Sequence, residues 1–318
     1  MQQPLETNYT ARTTAEEVIK NSRLHGKVVI VTGGSAGLGL ETAKSLAKGG
    51  ATVIVPARNI RKAREALFEV ENVVLYPAEF DLNKRDTVEL FISWFQEHFH
   101  TLDILINCAG IMAIPYQTDS LGNELQISSN YLGHYYLTKG LLPSLKNAKG
   151  ARVVNLSSRA HWFGPFNFDD PNFADTRYDK WIAYGHSKTA MSLMTVALDM
   201  LYQADGIRSF AVHPGSIVTN LSDSLTDEEM RAIGAITASG ERRFTSYNDE
   251  NKTIPEGAAT IVWCAVSSDL DGYGGVYCEN SDIAKVALDE SNREGVRPWA
   301  IDEKLALKLW RETPVLFR

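Results

Sequence analysis

Lys27 to Thr32 read KVVIVT, a short apolar run rich in β-branched residues that reads as a buried strand. GGSAGLG follows at once, from Gly33 to Gly39. LETAKSLAKGG then places Leu40, Ala43, Leu46 and Ala47 on one helix face, with Gly49-Gly50 as its stop. Strand, glycine turn, helix is the arrangement that binds a dinucleotide. The glycines let backbone approach a pyrophosphate, and the helix N-terminus offers free N–H groups and partial positive charge. The spacing Gly33-x-x-x-Gly37-x-Gly39 differs from GxGxxG, so its weight comes from its place between a first strand and a helix. A tight turn with no ligand is the plainer alternative.

The alternation continues down the chain. ATVIVPAR ends a second strand at Arg58, and NVVLYPAEFDL contains a third. DTVELFISWFQEHF is an amphipathic helix, and LDILINCAG holds a fourth strand. A helical segment spans about Asp119 to Leu145, and ARVVNLSS is a strand. A helix carrying Tyr184 and Lys188, the strand in IRSFAVHPG, the helix EGAATIVWCAVSS and the strand GGVYC complete the pattern. It predicts an α/β fold: one Rossmann-type domain, a doubly wound parallel sheet with helices on both faces. With no repeat and no linker, 318 residues suit a polar extension over 1–26, a dinucleotide-binding and catalytic domain over 27–286, and a tail over 287–318 packed on it. In the extension, Thr14 and Glu17 resemble a capping box. Segment 159–182 is rich in aromatics and segment 216–254 is long and polar; both read as lids or binding loops, with packed surface loops as the alternative.

Composition narrows the function. A net charge of −7 and a pI of about 5.6 argue against a nucleic-acid partner. No apolar run is long enough for a membrane span, and the N-terminus lacks a signal-peptide pattern, so a cytoplasmic protein with no membrane partner is expected. Cys108, Cys264 and Cys278 form no CxxC and read as reduced, buried thiols. His98 and His100 point to different sides of a helix, so no metal is expected.

Two features point to chemistry. NAD-binding folds usually end the second strand on an acid that holds the ribose hydroxyls, whereas an arginine nearby accommodates a 2′-phosphate. Here the strand ends Val55-Pro56-Ala57-Arg58, with no acid, and Arg61 and Lys62 follow. A guanidinium grips phosphate bidentately, so NADP(H) is expected in preference to NAD(H), with Arg58 on the phosphate. In AYGHSK, Tyr184 stands four residues ahead of Lys188, on one helix face. A free phenol titrates near ~10 and is a poor acid–base catalyst at neutral pH. A cation 4 Å away at an effective dielectric near 20 contributes roughly 4 kcal/mol, or about three pKa units downward. Ordinary helix decoration is the alternative.

TGGSAGLG (32–39), DL (81–82), NCAG (107–110), SSNYLGHYYLT (128–138), RVVNLSS (152–158), YGHSK (184–188) and HPGSIVTN (213–220) occur in this order. Over about residues 27–285 the sequence resembles the short-chain dehydrogenase/reductase superfamily. It is most similar to the retinol dehydrogenase and WW-domain oxidoreductase-like branch, through PAR after the second strand, NLSSRAH, the long gap before Tyr184, and AYGHSK.

The resemblance implies Tyr184 as general acid in carbonyl reduction and base in reverse. It implies Lys188 lowering the Tyr184 pKa and bonding the nicotinamide ribose, Ser158 polarising the carbonyl, and Asn130 holding a water that links Lys188 to solvent. Gly33, Ser35, Gly37, Leu38 and Gly39 would surround the pyrophosphate, Asp81 and Leu82 contact the adenine, and Asn107, Ala109 and Gly110 the adjoining ribose. Pro214, Gly215, Ile217 and Thr219 would border the nicotinamide. The chain departs from the family in reading Cys108 where NNAG is frequent. No anchor like that of many retinol dehydrogenases, and no WW module like those of the other relatives, is expected.

The expected activity is reversible, NADP(H)-dependent reduction of a ketone or aldehyde to an alcohol. The aromatics before Tyr184, with Ile111, Met112 and Ile114, suggest a bulky apolar substrate. A non-catalytic NADP(H)-binding sensor is expected to have lost Tyr184, Lys188 or Ser158. A nucleotide-sugar epimerase or dehydratase shares Tyr-x-x-x-Lys but usually has another glycine spacing and a larger C-terminal region. Helices around Asn130 and Tyr184 form dimer interfaces in many relatives, which leaves a homodimer open unless the leader and tail cover them.

Overall fold

A computed structural model describes residues 2–20, 22–289 and 294–317. The strands are β1 (Val28–Val31), β2 (Thr52–Ala57), β3 (Val73–Glu79), β4 (Ile104–Asn107), β5 (Ala151–Leu156), β6 (Ile207–His213), β7 (Val276–Glu279) and β8 (Asp282–Ile283). They form one sheet in the order β3-β2-β1-β4-β5-β6-β7-β8. Every pairing is parallel except β7 with the two-residue β8, an antiparallel edge that the sequence pattern did not signal. After β3 the chain returns to the other side of β1, so β1 and β4 are neighbours, with Val29 opposite Ile104. Strand order reverses there, and a crevice opens beyond the carboxyl ends where such folds bind ligands.

The helices are α1 (Ala15–Ile19), α2 (Gly37–Lys48), α3 (Ile60–Ala66), α4 (Arg85–His98), α5 (Leu125–Ile127), α6 (Gly133–Asn147), α7 (Lys180–Tyr202), α8 (Asp227–Ala232), α9 (Ile254–Val266) and α10 (Glu303–Leu316). Pleating sends alternate strand residues to opposite faces. Val29 and Val31 join one core with Leu46 of α2 and Trp263 of α9. Ile30 joins the other with Phe91 of α4, Leu137 of α6 and Leu193 of α7. The expected sheet covered on both faces is therefore what forms. Among the described residues no helix is long and apolar enough to cross a membrane.

Three elements differ from the sequence pattern. The helix expected from Asp119 begins only at Leu125, because Asp119 instead closes a turn: its carboxylate accepts the Leu121 and Asn123 N–H groups, each at 2.9 Å. Between α5 and α6, Ser128–Leu132 adopt a π-helical turn, and Asn130 lies in it. Such turns recur at functional sites. The leader does more than decorate the surface. Thr14 and Glu17 form the expected capping box, and Ala15, Val18, Ile19 and Leu24 enter the core beside α9. α10 lies against α6 and α7, with Tyr131 Oη 2.6 Å from Thr313 Oγ1 and Tyr135 Oη donating to the Trp310 carbonyl at 3.1 Å. It thereby occupies part of the helix surface left open above for a homodimer.

Candidate active site

The nucleotide end is built where β1 meets α2. Ala36, the N-cap of α2, supplies no side-chain acceptor, so the helix's first-turn N–H groups are left for a ligand. The glycine loop is folded tightly beside them. A methyl group on Gly39 would lie 2.3 Å from the Gly33 carbonyl oxygen, and one on Gly37 would lie 3.3 Å from Thr219 Cβ. Thr219 thus borders the loop from the far side of the crevice. A free helix N-terminus behind a loop without side chains is the donor set an anionic pyrophosphate requires, so these residues fit a dinucleotide. Ser35 is half-buried on the same turn. Arg58, at the end of β2, is exposed and has no hydrogen-bond or ion-pair partner among the described residues.

The geometry gives several expected nucleotide contacts structural partners. Asn107 is fully buried, and its Nδ2 donates to Asn155 Oδ1 at 2.7 Å and Thr138 Oγ1 at 3.1 Å. Through Nδ2 it ties β4 to β5 and α6, while its buried Oδ1 has no partner; Ala109 and Gly110 are half-buried in the crevice. The Leu38 and Ile217 side chains meet at Gly257 of α9, where a methyl would be 2.9 and 2.7 Å from them, and both residues are half-buried. Leu82 is buried against Gly133, and the Asp81 carboxylate accepts the Asn83 N–H at 3.0 Å. Gly215 takes a left-handed φ of 94° beneath residues 250–252, next to Pro214.

At the chemical end the geometry brings Ser158, Tyr184 and Lys188 together. Ser158 follows β5 in an extended conformation; its hydroxyl accepts the Ala160 N–H at 3.1 Å and sits close enough to the Tyr184 phenol to lower its pKa. Lys188, one turn along α7, places Nζ 5.6 Å from the Tyr184 ring centre and donates to the Leu156 carbonyl at 2.9 Å. Gly110 closes over the group: a methyl there would lie 3.0 Å from Asn130 Oδ1 and 3.7 Å from Lys188 Nζ.

One expectation is corrected here. Burial pushes the Tyr184 phenol up to about 12, and the Ser158 hydroxyl beside it offsets only part of that, so without a cofactor the phenol is not made more acidic. Burial also depresses the Lys188 ammonium to about 8, and the amine turns to a carbonyl rather than toward the phenol. The Asn130 side chain is tied to the backbone and to α7. Its Oδ1 accepts the Ile111 N–H at 2.9 Å, and its Nδ2 donates to the Ile111 carbonyl at 3.0 Å and Ser187 Oγ at 2.9 Å.

Sequence reasoning missed the groups that hold these parts in place. Thr32 Oγ1 accepts the Cys108 and Ala109 N–H groups and lies 2.9 Å from His134 Nε2, while His134 Nδ1 meets the Asn130 carbonyl at 2.8 Å. One buried imidazole, held neutral at about 4 by burial, thereby joins the glycine loop to the π-turn. Arg159, directly after Ser158, donates to Glu279 at 2.7 Å and Glu250 at 3.3 Å. Gly185, directly after Tyr184, lets the Ser158 turn approach α7, and a small residue at that position was the one visible signal.

Comparison with known proteins agrees with this arrangement. The family model described as short chain dehydrogenase matches residues 27–230. The chain belongs to that family. Its members are oxidoreductases that use a nicotinamide cofactor. A "Probable oxidoreductase" of Streptomyces lividans is 39% identical over 90% of this chain and 96% of its own length. Human "Retinol dehydrogenase 12" is 34% identical over 91% of this chain and 86% of its own. Among solved structures, an uncharacterized Mycobacterium paratuberculosis protein superposes with a TM-score of 0.70 at 31% identity, covering 94% of this chain and 96% of that one. The 3-ketoacyl-(acyl-carrier-protein) reductase of Brucella melitensis, complexed with NADH, shares the fold at a TM-score of 0.60 and 22% identity, over 80% of this chain and 96% of its own.

Proposed function

We propose that this oxidoreductase is an NADP(H)-dependent carbonyl reductase, working reversibly on a bulky apolar ketone or aldehyde. The observation that carries the reading is the grouping of Ser158, Tyr184 and Lys188, with the Ser158 hydroxyl beside the phenol and the Lys188 ammonium 5.6 Å from its ring centre. Ser158 donates to the substrate oxygen, and Tyr184 gives that oxygen its phenolic proton as the carbonyl carbon is reduced. Lys188 bonds the nicotinamide ribose and supplies charge near the phenolate that remains. A bound dihydronicotinamide supplies the hydride. Asn130 acts as a strut, fixing the residue 111 backbone against α7 through Ser187.

The support for an apolar substrate comes from fewer residues than the sequence suggested. Phe166 stacks on His186 at 4.2 Å, Phe168 lies under Lys308, and Tyr178 is bonded to Glu124 and Ile114, so these pack the loop itself. Phe163 and Trp181, with Met112 and Val218 of the lid cluster, remain to wall the space before Tyr184. The human relative is named for retinol, a bulky apolar alcohol. A panel of aryl ketones, aliphatic ketones, retinal and steroids, with NADPH oxidation followed optically, tests this. Turnover confined to small polar sugars would overturn it.

The exposed, unpartnered Arg58 supports the cofactor preference. Arg58→Ala is expected to raise the KM for NADPH about tenfold, the loss of a charge-assisted hydrogen bond of about 1.5 kcal/mol, with little change for NADH. Equal changes for both cofactors would refute the assignment.

A further inference from the structure

The family match ends at residue 230, yet the tail beyond it is wired to the turn that carries Ser158. The Ser158 carbonyl meets His161 Nδ1 at 2.7 Å and accepts the His161 N–H at 3.1 Å. The Arg297 N–H donates to His161 Nε2 at 3.1 Å, and the Trp299 indole N–H donates to the His161 carbonyl at 3.0 Å. Nε2 is therefore the acceptor and Nδ1 carries the proton, which fixes one neutral tautomer. The ring is fully buried; Arg159, His213, Arg297 and the Tyr277 hydroxyl are the polar groups that face it. Burial, followed by the charges among them, pushes the imidazole down to about 3, so it stays neutral across the working range. On either side, Arg159 and the Trp162 indole both donate to the Gly295 carbonyl, at 3.0 and 3.2 Å. The Arg297 guanidinium lies between the Trp162 and Trp299 rings, 4.9 and 4.6 Å from their centres.

We propose that residues 295–299 are a positioning element for Ser158, acting through His161, so that the C-terminal tail sets the rate of carbonyl reduction. The inference rests on the reading of Ser158 as the hydroxyl that polarises the substrate. A serine at a strand end has backbone freedom, and misplacement of a reacting group by about 1 Å costs on the order of a hundredfold in rate. The His161 ring grips the serine carbonyl, and the tail grips the ring. No residue of the tail needs to touch substrate for this to act.

Three variants test it: Trp299→Phe, which keeps a ring over Arg297 but loses the indole N–H; His161→Phe, which loses both ring nitrogens; and His161→Asn, which keeps a donor toward Ser158. With any carbonyl that the wild type reduces, His161→Phe is expected to lose about tenfold or more in kcat, with NADPH affinity by fluorescence within twofold. Asn is expected to recover part of the loss, and Trp299→Phe to lose about threefold. A merely structural role predicts no recovery in His161→Asn, which restores a donor toward Ser158 but not the packing of the ring. Deuterium exchange over 157–163 is expected to quicken in His161→Phe and Trp299→Phe. Unchanged exchange, or wild-type kcat in Trp299→Phe and any folded His161 variant, overturns the proposal. A wild type that reduces no carbonyl defeats the reductase reading instead, and exchange alone then decides whether the tail holds the serine turn.

Discussion

Tyr184→Phe is expected to abolish carbonyl reduction while NADPH still binds. The phenol is buried, Tyr184 being 5% exposed, with the Ser158 hydroxyl beside it, so the substitution removes one oxygen and leaves the ring's packing in place. Stability should fall by only about 1 kcal/mol, the net worth of one hydrogen bond. A positioned proton donor contributes roughly two to four orders of magnitude in rate, and no second hydroxyl replaces this one: Ser158 is too weak an acid to do so unaided. The pH dependence has a definite sign. Reduction uses the protonated phenol, and with its pKa raised to about 12 the phenol is protonated throughout the neutral range. Oxidation uses the phenolate, so in the wild type it should rise with pH over a range where reduction is flat, until Lys188, depressed to about 8, begins to lose its charge. Steady-state NADPH oxidation and a fluorescence titration measure the two effects. A Tyr184→Phe enzyme that keeps more than a tenth of its turnover, or loses cofactor binding in parallel, would remove Tyr184 from the chemistry.

The same pair illustrates what the sequence can and cannot carry. Spacing alone places Tyr184 and Lys188 on one face of α7, because helical periodicity is local. It cannot say how deeply that face is buried. Depth decides the pKa, and burial outweighs the lysine charge on which the expectation relied. Strands β1 and β2 and the loop between β1 and α2 were legible for the same local reason: β-branched runs and glycines state their own conformation. The structural bonds of Asn107 were not legible, because its partners Asn155 and Thr138 lie 48 and 31 residues away in sequence. The break before α5 was hidden for a smaller reason. Asp119 is as plausible in a first helical turn as in the loop it closes, and the Ser128 hydroxyl and Asn123 side chain, 2.6 and 3.0 Å from its carboxylate, add to the turn's own bonds in tipping the balance. Arg159, His161 and His134 are likewise polar residues whose meaning depends on distant strands and on the tail.

Gly185→Ala is expected to cost about a hundredfold in kcat through geometry alone. The added methyl would lie 2.4 Å from the Ala160 carbonyl oxygen and 2.9 Å from Phe163 Cβ. Neither the helix backbone nor the turn after β5 is a flexible side-chain end, so the two must move apart by several tenths of an ångström or more. That movement opens the distance between Tyr184, on the helix, and Ser158, at the start of the turn. Overpacking of this kind costs about 1–3 kcal/mol, and alanine's better helix propensity returns about 1 kcal/mol of it, so the fold survives with a modest fall in Tm. The rate has no such compensation, because proton donation and carbonyl polarisation must act on one substrate oxygen together. The glycine loop lies at the other end of the crevice, so NADPH affinity should stay within twofold. A variant with wild-type kcat would mean that the turn can give way without moving Ser158. Loss of cofactor binding alongside kcat would mean that the strain spreads into the nucleotide end, and the separation of the two ends argued from this structure would fail.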